Sequence, residues 1–132
     1  MLPIFHMISN GPTPVAPFSH AVEADGWVLL TGQMPTDPEN DSAPLPDGIE
    51  TQTRRVMDNL GLVLAGLNLG FEHVLGVRAY LTHFNEDYAA MNAVYASYFP
   101  ADRRPARTCI GVTGLARNAR VEIDFVARRP VG

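Results

Sequence analysis

Arg107 follows Pro105-Ala106 at the opening of a run of alternating hydrophobicity, and its type and setting define a chemistry. A rigid proline ahead of a strand fixes the backbone, so a planar guanidinium with five donors is held ready to take a carboxylate in bidentate fashion. An ordinary solvated arginine is the competing reading of the same residue. Glu122 falls on the matching face of the last strand, where it can act as a general base toward water or simply pair with Arg107. Cys109 shares the face of Arg107 and would be a nucleophile only beside a group that lowers its pKa; a small buried strand cysteine is the plainer reading. Thr31-Gly32-Gln33 ends another strand with a hydroxyl, a permissive glycine and an amide, which either offer polar groups to a ligand or turn the chain.

Other chemistries are excluded. All ten basic residues among the 132 are Arg. Without lysine there is no internal Schiff base, and so no pyridoxal-phosphate aldimine. The single Cys109 rules out an internal disulfide and a multi-cysteine zinc site, and His6, His20, His73 and His83 show no metal-ligand spacing. No phosphate-binding glycine loop occurs, so no nucleotide cofactor is expected. A net charge of −4 gives no footprint for nucleic acid or an anionic membrane. No apolar stretch approaches the roughly 20 residues of a membrane span and no secretory leader is visible, so a soluble, cytoplasmic protein is expected.

The elements that must position these residues follow from the period of the apolar side chains. Ile4 to Ile8, His20 to Ala24 and Trp27 to Thr31 read as strands, the last two joined by Asp25-Gly26, a dipeptide suited to a tight hairpin. Apolar residues from Ile49 to Leu67 recur at helical spacing, and Asp47 with Glu50 has the form of a capping box. Residues 73–82 alternate as a strand with Leu75, Val77, Ala79 and Leu81 on one face. Asn85 is the expected cap of a second helix, with a stripe of Tyr88, Met91, Tyr95, Tyr98 and Phe99 running to Pro100. Runs at 106–113 and 120–128 are the last strands. The proline-rich segment 34–48 is a long loop of the kind that is mobile or lies over a site.

The order β-β-β-α-β-α-β-β in one domain, 1–132, predicts an α+β fold with two helices on one face of a mixed sheet. Alternation assigns Thr108, Ile110, Val112, Val121, Ile123, Phe125 and Ala127 to the helix side. It assigns Arg107, Cys109, Gly111, Thr113, Glu122, Asp124 and Val126 to the other. That second set is neither a full core nor a solvated surface, which predicts that this face meets another subunit, with strand ends lining crevices there.

These residues carry a resemblance that covers Pro14 to Ala127. The segments Pro14-Val15-Ala16-Pro17-Phe18-Ser19-His20-Ala21-Val22, Thr31-Gly32-Gln33-Met34-Pro35, Gln52-Thr53 with Asn59-Leu60, Met91-Asn92-Ala93-Val94-Tyr95, Pro105-Ala106-Arg107-Thr108-Cys109 and Val121-Glu122-Ile123-Asp124 occur in order. Together they resemble the reactive-intermediate deaminase family, RidA or YjgF. The resemblance implies a chorismate-mutase-like fold assembled as a homotrimer with sites between subunits. It implies hydrolysis of enamines and imines such as 2-aminoacrylate and 2-iminopropionate to 2-keto acids and ammonia, without a cofactor. Arg107 would clamp the substrate carboxylate and Glu122 would position or activate the water. Backbone groups near Thr31, Gly32 and Cys109 would hold the nitrogen and the water, with Asn92 supporting the site or serving only as a structural hydrogen-bonder.

Two positions depart from the family pattern at the site. Phe18 stands where many active members carry tyrosine, which removes a phenol worth roughly 1.5–3 kcal/mol, about ten- to a hundredfold in rate, if it bonds a charged group. Thr31 replaces the commoner serine. A third departure, Leu115-Ala116 without the usual proline, concerns only a loop. The leading function is therefore an imine deaminase. The alternatives are a small-carboxylate-binding or chaperone-like protein using the same cleft, and an endoribonuclease, which the acidic balance disfavours.

Overall fold

The computed structural model describes residues 2–131 and is an α+β fold, one six-stranded sheet with two helices on one side. The strands are β1 (Ile4–His6), β2 (Ala21–Ala24), β3 (Trp27–Gln33), β4 (Val74–Leu81), β5 (Ala106–Gly111) and β6 (Val121–Arg128). The helices are α1 (Ile49–Gly66) and α2 (Phe84–Ala96). Spatial order is β1-β2-β3-β6-β4-β5, with every pair antiparallel except β4 and β5. The last strand in sequence thus lies at the centre, and β5, which carries Arg107, lies at an edge.

The β2–β3 hairpin turns where expected, with Asp25 and Gly26 both at positive φ. Helix α1 buries Ile49, Val56, Met57, Leu60, Val63 and Leu64 at helical spacing against the sheet. From the sheet come Val28, Leu30, Val77, Ala79, Leu81, Val121, Ile123 and Phe125. A fully buried side chain such as Phe125 contributes about 1.5–3 kcal/mol by its removal from water. Asn68, at φ 60, closes α1 while Leu69 N–H bonds back to Leu64 C=O at 2.9 Å.

Neither expected helix cap forms. Gly48, at φ 85, is the α1 cap, no side chain of Asp47 or Glu50 caps it, and Gln52 instead donates to the Pro46 carbonyl at 2.9 Å. Asn85 lies inside α2, whose cap is His83. The buried carboxylate of Asp87 fixes this end of α2 through two bonds from Arg120, at 2.7 and 3.0 Å. Helix α2 also stops at Ala96, and tight turns carry the chain to a buried Phe99.

Two face assignments are corrected. A register shift between Val74 and Gly76 turns Val74 inward and leaves Leu75 48% exposed. In β5 the phase is the reverse of that expected: Arg107 pairs with Val77 and Cys109 with Ala79, both on the helix side, while Ile110 is 47% exposed on the other. Near-equal mixing of small, polar and apolar residues on the two sides of β5 makes its alternation a poor guide to its facing.

Candidate functional site

Arg107 lies between β5 and α2. Its guanidinium carbon is 4.9 Å from the centroid of the Tyr95 ring and 5.8 Å from that of Tyr88, and a long 3.4 Å hydrogen bond runs from it to the Tyr88 hydroxyl. The two rings steady the cation through their negative faces, and apart from the long bond to the Tyr88 hydroxyl its in-plane donors stay available for a planar anion. Tyr88 is itself stacked on Phe84 at 4.8 Å. Asn92 and Tyr95, three residues apart on α2 and so on one helix face, line the same cavity of about 280 Å³ with Ala96, Arg104, Pro105 and Arg107.

Two buried polar atoms there lack a partner within the protein: the side-chain amide oxygen of Asn92 and the hydroxyl of Tyr95. Such groups carry a desolvation cost of about 1–3 kcal/mol each, which a bound ligand or water would offset. Burial pushes the Tyr95 phenol up to about 12, so near neutral pH it is a hydrogen-bond donor. Cys109, two residues past Arg107 on the same face, is half-buried against the core. Burial raises its thiol pKa, opposed by the nearby Arg107, so it is a packing residue rather than a thiolate.

Glu122 sits elsewhere. It pairs with Tyr80 across β6 and β4, on the sheet face away from the helices, and no side-chain hydrogen bond among the described residues involves it. Burial, with a smaller contribution from the charge of Asp124, raises its carboxyl above the ordinary value of 4.5. Beside it, Asp124 is occupied by Arg78 at 2.9 Å and the Tyr80 hydroxyl at 3.1 Å. The register of β3 on β6 slips between Leu30 and Gln33, and in that irregular stretch Gly32 meets the Glu122 carboxylate so closely that a β-carbon there would collide with it. Gly32 is thus the cradle of Glu122.

Phe18 and Gly32 line one small cavity with Pro12, Thr13, Gln33, Met34 and Thr36. The neighbouring Thr31 hydroxyl is engaged by the Ser19 carbonyl at 2.6 Å. Buried His20 holds the chain around this corner, accepting from Ile8 N–H at 2.7 Å and bonding the Pro12 carbonyl. The 34–48 segment is tied down at its start by Asn59, whose amide donates to Met34 and Thr36 carbonyls at 3.0 and 2.8 Å. Arg117 holds it further along through the Asp41 and Ala43 carbonyls.

The residues named from the sequence therefore form two groups. Arg107, Asn92 and Cys109 lie on the helix side near β5; Glu122, Gly32, Thr31 and Phe18 lie at β3 and β6. An Arg107–Glu122 pair on one face does not form within the chain. Tyr95, Tyr88 and Arg104 do not stand out as site residues in the sequence, although the Asn92–Tyr95 spacing and the short separation of Arg104 from Arg107 place two of them beside residues that do. Among the described residues no group of three or more His, Cys, Asp or Glu side chains could hold a metal, and no helix is long and apolar enough to cross a membrane.

A six-stranded sheet backed by two helices, with an arginine at the start of its parallel edge strand bordering a cavity, defines a class of small α+β proteins. The chain belongs to the family described as Endoribonuclease L-PSP, whose model matches residues 8–129. It is 37% identical over 122 residues to the RutC family protein slr0709 of Synechocystis, covering 92% of this chain and 93% of that one. It is 30% identical over 119 residues to the 2-iminobutanoate/2-iminopropanoate deaminase of Mus musculus, covering 90% and 86%. Among solved structures it superposes on YyfA of Yersinia pestis, of the Rid protein family, with a TM-score of 0.89 at 28% identity, covering 97% of this chain and all of that one. The expected RidA or YjgF membership and the α+β fold are borne out.

Proposed function

We propose that the chain is a cofactor-independent hydrolytic deaminase of 2-imino and enamine acids, of the 2-aminoacrylate and 2-iminopropionate type, releasing 2-keto acids and ammonia. The observation that carries this reading is Arg107, steadied on two tyrosine rings in a cavity with orphaned polar groups and, among the described residues, paired with no carboxylate. A mouse relative named as an imine deaminase supports it. Arg107 binds the substrate carboxylate. Glu122 takes a proton from water as the water oxygen bonds to the imine carbon and passes it to nitrogen; the hydroxyl of the resulting carbinolamine then gives its own proton to nitrogen by way of the same carboxylate, so that the C=O forms as the C–N bond breaks and ammonia leaves, with no net oxidation or reduction. Catalysis comes from orientation and from fixed charge around the developing tetrahedral centre.

Because Arg107 and Glu122 are apart in one chain, the reading places the working site between copies, in a homotrimer, with Arg107 from one and Glu122 from the next. The sheet face away from the helices supports this: Leu29 is 55% exposed and Ile110 47% on it, an apolar surface suited to a second copy. Such an enzyme needs no nucleic acid or membrane and works in the cytoplasm. The test is pyruvate formation from 2-aminoacrylate generated in situ by a pyridoxal-phosphate lyase. Wild type is expected to exceed the spontaneous rate and Arg107→Ala to fall to it; equal rates for the two would overturn the assignment.

A further inference from the structure

Two guanidinium groups, not one, line the cavity at β5. Arg104 and Arg107 are three residues apart around Pro105, and both border the space beside Asn92 and Tyr95. Among the described residues no ion pair involves Arg104 or Arg107, and of the several arginines without one these are the two that border this cavity. Two cations bordering one concavity favour a ligand that carries two negative charges over one that carries a single charge. A ligand with one carboxylate answers Arg107 alone. The orphaned Tyr95 hydroxyl is a donor, and the Asn92 amide oxygen an acceptor for an imine N–H.

We propose that Arg104 is a specificity-determining residue and that the preferred substrate is the imine of a 2-oxo dicarboxylic acid. Arg107 takes the carboxylate next to the imine carbon and Arg104 takes the distal one. The inference rests on the reading of Arg107 as the carboxylate anchor of a deaminase. The reaction is the same hydrolysis: water oxygen bonds to the imine carbon, C–N breaks, ammonia leaves, and both carboxylates are unchanged.

The experiment compares 2-iminoglutarate with 2-iminobutanoate, each generated by an amino-acid oxidase with catalase present, in wild type, Arg104→Gln and Arg104→Lys. Wild type is expected to favour the dicarboxylic imine in kcat/KM, and Arg104→Gln to reduce that preference by about fivefold, the upper range of an exposed ion pair, mainly through KM. Arg104→Lys should restore part of it. An unchanged preference in Arg104→Gln overturns the proposal. Acceleration of neither imine by wild type would remove the deaminase reading, and calorimetric binding of 2-oxoglutarate against 2-oxobutanoate then decides the inference on its own. Tighter binding of 2-oxoglutarate that is lost in Arg104→Gln supports it, and equal binding of the two acids, or equal displacement by inorganic phosphate, contradicts it.

Discussion

Arg107 and Glu122 project from opposite faces of one sheet, with β4 lying between their strands. Arg107 is level with Val77 and Phe125, while Glu122 is three residues further along β6. Strand spacing and rise then separate their Cα atoms by about 14 Å, with the side chains directed to opposite sides. A substrate of three or four carbons cannot touch both within one chain. Any chemistry that uses the two together has to draw them from different copies.

Gly32 is the most local test of the Glu122 arrangement. Gly32→Ala introduces a β-carbon where the Glu122 carboxylate lies, so the carboxylate must move. Turnover of 2-aminoacrylate is expected to fall by at least about tenfold through kcat, the cost of misplacing a general base. Circular dichroism should show the fold retained. Unchanged kcat would mean that the cradle has no catalytic consequence.

The raised carboxyl pKa of Glu122 has a definite sign. Its folded state favours the protonated form, so its ionisation costs stability as pH rises above the ordinary value of 4.5 and costs nothing below it. Glu122→Gln should therefore raise Tm near pH 7 more than at pH 4. In wild type the acid limb of kcat/KM should lie above 4.5, because the base must be ionised. A limb at or below that value would contradict burial as the controlling factor.

The clasp at the other end of the sheet behaves oppositely. Arg129 bonds both Glu23 oxygens and the Leu67 carbonyl, while His6 bonds Glu23 at 2.9 Å. The Arg129 hydrogen bond leads the causes that hold the Glu23 carboxyl below 4.5, against the opposing effect of burial. Its stabilisation is present above that value and is lost as pH falls through the depressed pKa. Arg129→Ala should destabilise by about 1.5–3 kcal/mol in urea unfolding near pH 7, with a smaller difference in acid. A pH-independent difference would show that packing, not charge, is what Arg129 supplies.

Phe18 borders Gly32 without offering a hydroxyl. Phe18→Tyr is expected to raise kcat/KM for 2-aminoacrylate by roughly ten- to a hundredfold, the scale of one hydrogen bond to a charged or polarised group. No gain would mean that this chain's site is organised without a phenol there.

Most of the fold was legible because its elements are strongly periodic. The α1 stripe, the Asp25-Gly26 turn and the alternation of β6 each fix an element in isolation. The facing of β5 was not legible, because an edge strand packed on one side only by a helix end tolerates Ile110 outside and Cys109 inside. That reversal is what moved Arg107 to the opposite side from Glu122. The caps failed for a related reason: the chain entering α1 turns at Gly48, and backbone geometry there took precedence over a side-chain pattern. Arg107, Glu122 and Gly32 stood out by type and position, while their grouping depends on strand order, which short-range sequence pattern does not encode.

The most direct test of the composite site is complementation between two inactive variants. Arg107→Ala and Glu122→Gln chains, unfolded together and refolded as a mixture, would form sites that take Arg107 from one copy and Glu122 from another. Pyruvate release from 2-aminoacrylate is predicted to recover to about a quarter of the wild-type rate at equal mixing, the fraction of interfaces with both groups intact in randomly assembled cyclic oligomers. Each variant refolded alone should stay at the spontaneous rate. No recovery in a mixture shown by mass to contain hybrid assemblies would contradict a site shared between copies.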